Sequence, residues 1–304
     1  MSESPAFVHQ SVLAAEVARI LRECRRVVDG TVGAGGHARL LIEAGAKVLA
    51  FDRDPDAVAA ARAALGKGVR VERMEFSAAA SDPETLAFHP DGVLLDLGVS
   101  SPQLDDPARG FTFRPGAPLD MRMEERGPTA AEWLDTAPEP VLARAFAEWG
   151  DEPRGRALAR AVVRRRATRP FATSDDLVNA IRAVLGPRSG PPDFARVFQA
   201  VRIAVNDEIG RLAVALDGFL AVLEPGGVLA VIAYHSGEDR TVKHRFREWA
   251  RACVCPPGQP VCTCRGRALG EVLTRRAVRP GAAETAANPR ARSARLRAFR
   301  KAAA

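Results

Sequence analysis

The sequence predicts an α/β protein: a Rossmann-like, doubly wound parallel sheet with a block of helices inserted into it. Three observations carry this. Short, continuously apolar runs alternate with helical patterns over the first hundred residues, as strands buried on both faces of a parallel sheet require. A glycine-rich stretch, "DGTVGAGGH" (29–37), follows the first run and opens the first helix of the series. The strand rhythm stops near residue 105 and resumes near 228.

Taken in order, "RRVVDG" (25–30) is the first strand, and "GHARLLIEAG" (36–45) is a helix closed by Gly45. "AKVLAFD" (46–52) is the second strand. "DPDAVAAARAAL" (54–65) is a helix with Pro55 at its start and an Ala-rich body. "VRVERM" (69–74) and "DGVLLDLG" (91–98) are the third and fourth strands. Short amphipathic helices separated by Pro and Gly follow, among them "TAAEWLDTA", "PVLARAFAEWG", "RGRALARAVVRRRA" and "SDDLVNAIRAVLG". Residues 193–223 read as one long helix, ended by "EPGG". "VLAVIAYH" (228–235) is a fifth strand. The expected domains are therefore a sheet domain over 1–104, a helical insertion over 105–192, and the rest of the sheet domain over 193–304. The Ala- and Arg-rich tail beyond about 280 is expected to order on a partner.

The chain has 304 residues, 47% hydrophobic and 27% charged, enough for a sizeable core. No run of about 18 apolar residues occurs, so no membrane span is expected. "MSESPAFVHQ" has no basic start leading into an apolar stretch, so a cytoplasmic protein is expected. The net charge is +7 and the pI about 9.7, which suits a polyanionic partner. The cations cluster: "RARSARLRAFRK" (290–301) holds six and no anion, and "RRRATR" (164–169) holds four. At least one of these runs is expected to touch nucleic acid.

Cys24 stands alone before the first strand and is expected to be buried. Cys253, Cys255, Cys262 and Cys264 form two C-x-C pairs six residues apart. Structural zinc sites usually space each pair by two to four residues, so reduced thiols in a short hairpin are the favoured reading and no metal is assigned; a tetrahedral zinc stays open. Disulfides do not suit a reducing compartment.

"GAGGHA" (33–38) fits the G-x-G-x-x-G/A fingerprint, and Asp52 at the end of strand two suits ribose hydroxyls. This leaves NAD and S-adenosylmethionine both open. Asp29 precedes the loop and Asp96 ends strand four. Carboxylates there would repel a pyrophosphate and suit a sulfonium and an ammonium, which favours the methyl donor.

With these motifs in place, the chain resembles the bacterial 16S rRNA (cytosine-N4)-methyltransferases, the MraW or RsmH family. "HQSVL", "DGTVGAGGH", "FDRDPDA", "LLDLGVSSPQLDDPARGFTF", "PLDMRM", "VFQAVRIAVNDE", "YHSGEDRTVK" and "NPRARSARLRAF" match in order over nearly the whole chain. The resemblance implies a class I S-adenosylmethionine-dependent methyltransferase fold with a helical insertion. It also implies methylation of N4 of a cytidine in the decoding region of small-subunit rRNA. Gly33 would be among the cofactor-binding residues, Gly35, Gly36 and His37 would line the methionine end of the donor, Asp52 would hold the ribose, Phe76 would lie beside the adenine, and Asp96 and Gln103 would complete the site. Gly237 stands where the family usually has Leu, in "HSGEDR", which loosens the expected loop. The paired cysteines match a version seen in part of the family, so they are not essential to the reaction.

The amine of cytosine is a weak nucleophile because its lone pair is delocalised into the ring. Its lone pair must be turned toward the methyl group and a proton accepted during or after transfer. "SSPQ" (100–103) after strand four and His235 after strand five are the expected catalytic elements: Ser100 or Ser101 accepts the amine's hydrogen bonds, and His235 or water takes the proton. The base is expected to leave its stack. An NAD-dependent oxidoreductase and a non-catalytic RNA-binding factor are the competing classes.

Overall fold

The structure, a computed structural model, describes residues 11–99, 101–124 and 126–303. The chain divides into two compact units. One takes in the chain up to Gly98 and from Arg211 onward; the other is Val99–Gly210.

The first unit is built on seven strands. These are β1 (Arg26–Asp29), β2 (Lys47–Asp52), β3 (Arg70–Arg73), β4 (Gly92–Asp96), β5 (Val228–Ala233), β6 (Gly270–Val272) and β7 (Arg295–Lys301). Their order across the sheet is β3-β2-β1-β4-β5-β7-β6. β1 to β5 run parallel, with Asp29 opposite Ala50 and Asp96 opposite Ile232; β7 runs antiparallel to both β5 and β6. Successive residues of a strand face opposite sides. Val27, Val48, Ala50, Leu94 and Ile232 accordingly enter one apolar layer. Val28, Leu49, Phe51, Val93, Leu95 and Val231 enter the other.

The strand order reverses at β1 and β4, which places the crevice for a ligand at the carboxyl ends of these two strands. Helix Gly36–Glu43 follows β1. Helix Pro55–Leu65 follows β2, capped by the Asp54 carboxylate accepting from Asp56 N–H at 3.0 Å, with Pro55 in its first turn.

The C-terminal tail corrects one expectation. Residues 295–301 do not wait for a partner: they form β7, with Leu296, Ala298 and Phe299 fully buried. Its cations are committed to the fold. Arg297 Nε and Arg295 Nη1 reach the two oxygens of Asp239 at 2.6 and 3.1 Å, and Lys301 Nζ donates to the carbonyls of Ala221 and Leu223 at 3.0 and 2.6 Å.

The second unit is helical, with an isolated antiparallel bridge between Pro118 and Thr173. Helices Ala130–Thr136, Glu139–Glu148, Gly155–Arg166, Ser174–Leu185 and Pro191–Asn206 enclose Leu134, Phe146, Leu158, Ile181, Val197 and Phe198. The expected insertion, 105–192, is therefore too short. Helix Pro191–Asn206 belongs to it because Phe194, Val197, Phe198 and Val201 pack into the insertion's own core.

The long helix expected over 193–223 is two helices. The chain breaks at Asp207, whose φ of 47° is left-handed, and a second helix runs Glu208–Val222. Asn206 anchors the break: its amide nitrogen donates to Met121 O and Arg202 O at 2.8 and 2.9 Å, and its oxygen accepts from Met123 N–H at 2.8 Å. Arg202 forks onto both oxygens of Glu208 at 2.9 Å each. A Cβ at Gly210 would sit 2.5 Å from Asp207 Oδ1, so the side-chain-free position makes room for the aspartate.

Candidate active site at the carboxyl ends of the strands

The site begins where β1 stops. Gly30 donates to Leu94 O at 2.9 Å and has no room for a side chain: a Cβ there would lie 2.6 Å from Leu95 Cδ2 and 3.3 Å from Phe76 Cβ. Gly33 and Gly35 turn the chain with φ of 52° and 85°, a region other residues enter at a cost. Gly36 starts the helix, and a Cβ on it would run into the Ser11 hydroxyl. The loop is thus a bare backbone turn delivering the first N–H groups of helix Gly36–Glu43 to the crevice.

Three carboxylates stand at the ends of three strands. Asp52, at the end of β2, shapes the loop from below: Oδ2 accepts from Gly33 N–H at 2.9 Å and Oδ1 from Asp54 N–H at 3.0 Å. Burial pushes its pKa up. Asp96, at the end of β4, accepts from the Tyr234 hydroxyl at 2.9 Å and faces His37 Nε2 at 3.5 Å. Its own N–H donates to Thr31 Oγ1 at 2.6 Å, tying β4 to the loop. Asp29 is fully buried; Oδ1 accepts from Thr31 N–H at 3.1 Å.

The electrostatics are those of a site short of positive charge. Burial pushes the Asp29 carboxyl up to about 7, and the nearby Asp96 and Asp52 add to the rise, against lowering by His37 and the Thr31 N–H. For His37, burial works against the charged form, but the nearby carboxylates of Asp96 and Asp29 outweigh it, and its pKa is raised. Burial, then the adjacent Asp96, holds the Tyr234 hydroxyl well above its ordinary value, so it stays a neutral donor.

Asp29 Oδ2 and both ring nitrogens of His37 are buried with no hydrogen-bond partner of good geometry. A buried polar group left this way costs about 1–3 kcal/mol. Three of them around one crevice fit a polar, cation-bearing ligand, and the donor set fits S-adenosylmethionine better than a pyrophosphate.

The structure therefore brings Gly33, Gly35, Gly36, His37, Asp52 and Asp96 together. Phe76, half-buried at the start of helix Phe76–Ala79, packs against the root of the loop at Gly30. Gln103 is buried within helix Ser101–Asp105 of the second unit. Ser100 lies outside the described residues, as does the side chain of Ser101. Tyr234, the single tyrosine of the chain, is the residue that sequence reasoning missed. Its signal was there: it ends an apolar strand immediately before the motif "HSGEDR".

His235 is engaged in the backbone at a helix start. The "HSGEDR" segment is the first turn of helix Ser236–Trp249, and His235 is its N-cap. Nδ1 accepts from the N–H groups of Gly237 and Glu238 at 3.2 and 3.4 Å, and Nε2 lies 3.2 Å from Glu238 Oε1. Glu238 Oε2 accepts from the Tyr234 and His235 N–H groups at 2.8 and 3.3 Å, closing a capping box. An Nδ1 lone pair already aimed at two N–H groups cannot take a proton without breaking the cap. Gly237 is helical, and its carbonyl accepts from Thr241 Oγ1 at 3.0 Å, so the loop that its glycine was expected to loosen is an ordered turn.

The family comparison decides between the classes the crevice allows. A family model described as the MraW methylase family matches residues 6–302. The chain belongs to the MraW methylase family. It is 54% identical over 300 residues to the ribosomal RNA small subunit methyltransferase H of Gemmatimonas aurantiaca, covering 97% of this chain and 95% of that protein. It is 48% identical over 308 residues to the protein of the same name from an Anaeromyxobacter species, covering 98% and 99%. As a member of the MraW methylase family, with its open sheet and its crevice at the β1/β4 switch, the chain has the class I methyltransferase fold.

Proposed function

We propose that this chain transfers a methyl group from S-adenosylmethionine to the N4 amine of a cytidine in 16S rRNA. The observation that carries the reading is the crevice: a side-chain-free loop beside three strand-end carboxylates, with Asp29 Oδ2 and the His37 ring buried and unsatisfied. Membership of the MraW methylase family and the names of its relatives support the substrate class.

S-adenosylmethionine, when bound, supplies a methyl group made electrophilic by its sulfonium. The chain's own residues bind and orient. The N–H groups at the start of helix Gly36–Glu43 suit the methionine carboxylate. Asp29 and Asp96 suit the ammonium and the sulfonium side, and the His37 ring beside them suits the methionine carboxylate. Asp52, with both oxygens already held by backbone N–H groups, has lone pairs left for ribose hydroxyls. Phe76 offers an apolar face for the adenine. Gln103 is proposed to complete the donor site with Asp96, and Ser100 or Ser101 is the proposed acceptor for the cytosine amine. The amine becomes acidic as its lone pair is used, so a late proton transfer to water needs no strong base; His235 positions Tyr234 and the turn rather than accepting the proton.

The substrate is proposed to be rRNA within the small ribosomal subunit, in the cytoplasm. Among the described residues no helix is long and apolar enough to cross a membrane. Equilibrium binding of labelled S-adenosylmethionine and labelled NAD, followed by methyl transfer to isolated small subunits, tests the reading. Donor binding without NAD binding, and label in 16S rRNA, are expected. NAD binding, or donor binding with no transfer, would overturn it.

A further inference from the structure

Outside the crevice, one cluster of chemically potent side chains is left unused by the methyl transfer. It lies in the segment between helix Ser236–Trp249 and β6. The Sγ atoms of Cys253, Cys255, Cys262 and Cys264 all lie within 4.8 Å of one another. The sulfur separations include 3.4 Å for Cys262–Cys264, 3.8 Å for Cys253–Cys262, and 3.9 Å for both Cys255–Cys262 and Cys253–Cys264. All four are free thiols, and a disulfide would need about 2.05 Å.

Those separations match a particular geometry. With a Zn–S bond of about 2.3 Å, the edge of a regular ZnS4 tetrahedron is about 3.8 Å. The one-residue spacing within each pair, which argued against a metal, is no obstacle here. Residues i and i+2 of an extended chain share a face, and the turn at Cys255–Pro256–Pro257–Gly258, with Gly258 at a φ of 85°, folds one pair onto the other.

The segment gives no other reason for the thiols to converge. From Arg251 to Gly270 no residue is buried, and Val261 is 70% exposed. An apolar core does not hold the hairpin. What ties it down is polar and peripheral: Gln259 Nε2 donates to Val261 O and Thr263 Oγ1 at 3.0 and 2.8 Å. Arg265 reaches the carbonyls of Trp249 and Arg251, at 3.4 and 2.9 Å, and that of Glu248 at the end of helix Ser236–Trp249. Val254 N–H also points at Cys264 Sγ at 3.3 Å, the kind of donor that supports a metal-bound thiolate.

We propose that Cys253, Cys255, Cys262 and Cys264 form a structural zinc site that closes the 253–264 hairpin on itself, beyond the end of helix Ser236–Trp249. Four thiolates around one ion leave no open coordination position, so the site is closed and takes no part in methyl transfer. A small exposed loop without a core is the setting in which a metal substitutes for apolar burial.

The test is the metal content of the full-length protein purified under reducing conditions without added metal. About one zinc per chain is expected. In Cys253→Ser/Cys262→Ser the content should fall at least about five-fold, while Cys24→Ser, whose thiol is buried beside Asp91, keeps it. Should the double variant fold poorly, the wild type decides alone. Stripped with a chelator and given cobalt(II), it should show the intense visible bands of tetrahedral thiolate coordination, and its 250–268 segment should become more sensitive to protease in the stripped state. Less than about 0.1 zinc per chain with all four thiols titratable and no cobalt spectrum would overturn the proposal. So would iron in place of zinc, or full zinc content in the double variant.

Discussion

Asp29 is buried with one oxygen bonded to Thr31 and the other without a partner, and its carboxyl is pushed from 3.8 up to about 7. The unfolded chain loses this proton near pH 4 and the ligand-free folded chain near pH 7, so stability falls as pH rises through that window. Asp29→Asn should therefore raise the stability of the ligand-free protein at pH 8 by roughly 1–4 kcal/mol and leave it unchanged near pH 4, in urea unfolding. The same variant should bind S-adenosylmethionine at least about ten-fold more weakly, because a cation beside the carboxylate is what reverses the shift. Binding to the wild type at pH 6 should release a proton, seen as a dependence of calorimetric heat on the buffer's ionisation enthalpy; Asp29→Asn should release fewer, leaving at most the share of His37. Asp52 makes a separate case. Asp52→Ala should lose about 1.5–3 kcal/mol of donor affinity for each charge-assisted bond to the ribose. Because Asp52 also holds Gly33 N–H, Asp52→Asn serves as the control: affinity unchanged in both variants would remove it from the site.

Helix Ser236–Trp249 begins on His235, and its first turn holds the end of β5 through Glu238. His235→Ala removes a cap and should cost about 0.5–2 kcal/mol of stability. Single-turnover methylation should keep its pH profile, whereas a flattened profile would restore His235 as the proton acceptor. β7 makes a stronger claim at the same scale. Removing residues 289–304 takes out a strand that pairs on both edges, so the truncated chain should lose its cooperative thermal transition rather than merely bind RNA less well. The elements differ in how legible they are from the sequence, and the reasons are physical. β1, β2, β4 and β5 are short, carry unbroken apolar runs and are bounded by charged or turn residues, so their buried parallel character is written in the residues. β7 alternates Leu296 and Ala298 with Arg295, Arg297 and Arg300, and cations that pair internally look, in sequence, like cations facing solvent. The break at Asp207 hides inside an apolar repeat that keeps helical spacing on both sides. The glycine loop and the strand-end carboxylates are legible because a bare turn and a buried acid are rarely there for packing. Tyr234 is not, since nothing local shows that its hydroxyl meets Asp96, 138 positions away in the chain.

At the scale of the whole molecule, the net charge of +7 must be read after subtracting cations spent on the fold. Arg295, Arg297 and Lys301 are bonded within the sheet unit. In the helical unit Arg165 binds Asp176 at 2.5 Å, and Arg166 binds the carbonyls of Leu134 and Ala137 at 2.9 and 2.7 Å. Arg164 and Arg169 are exposed. If this end of helix Gly155–Arg166 meets RNA, Arg164→Ala and Arg169→Ala should each lower the log–log salt slope of rRNA binding by about 0.7–0.9 and leave donor affinity unaltered. An unchanged slope in both would place the contact elsewhere. The central claim, methyl transfer to a cytidine amine of 16S rRNA, is tested most directly by mass mapping of nucleosides. Small subunits lacking the modification would be incubated with S-adenosylmethionine and either wild type or Asp52→Ala, and their 16S rRNA digested. The account predicts N4-methylcytidine at one site with the wild type, and much less with Asp52→Ala at limiting donor. A methyl group on a ring carbon, on another base or on a ribose, or none at all, would contradict it.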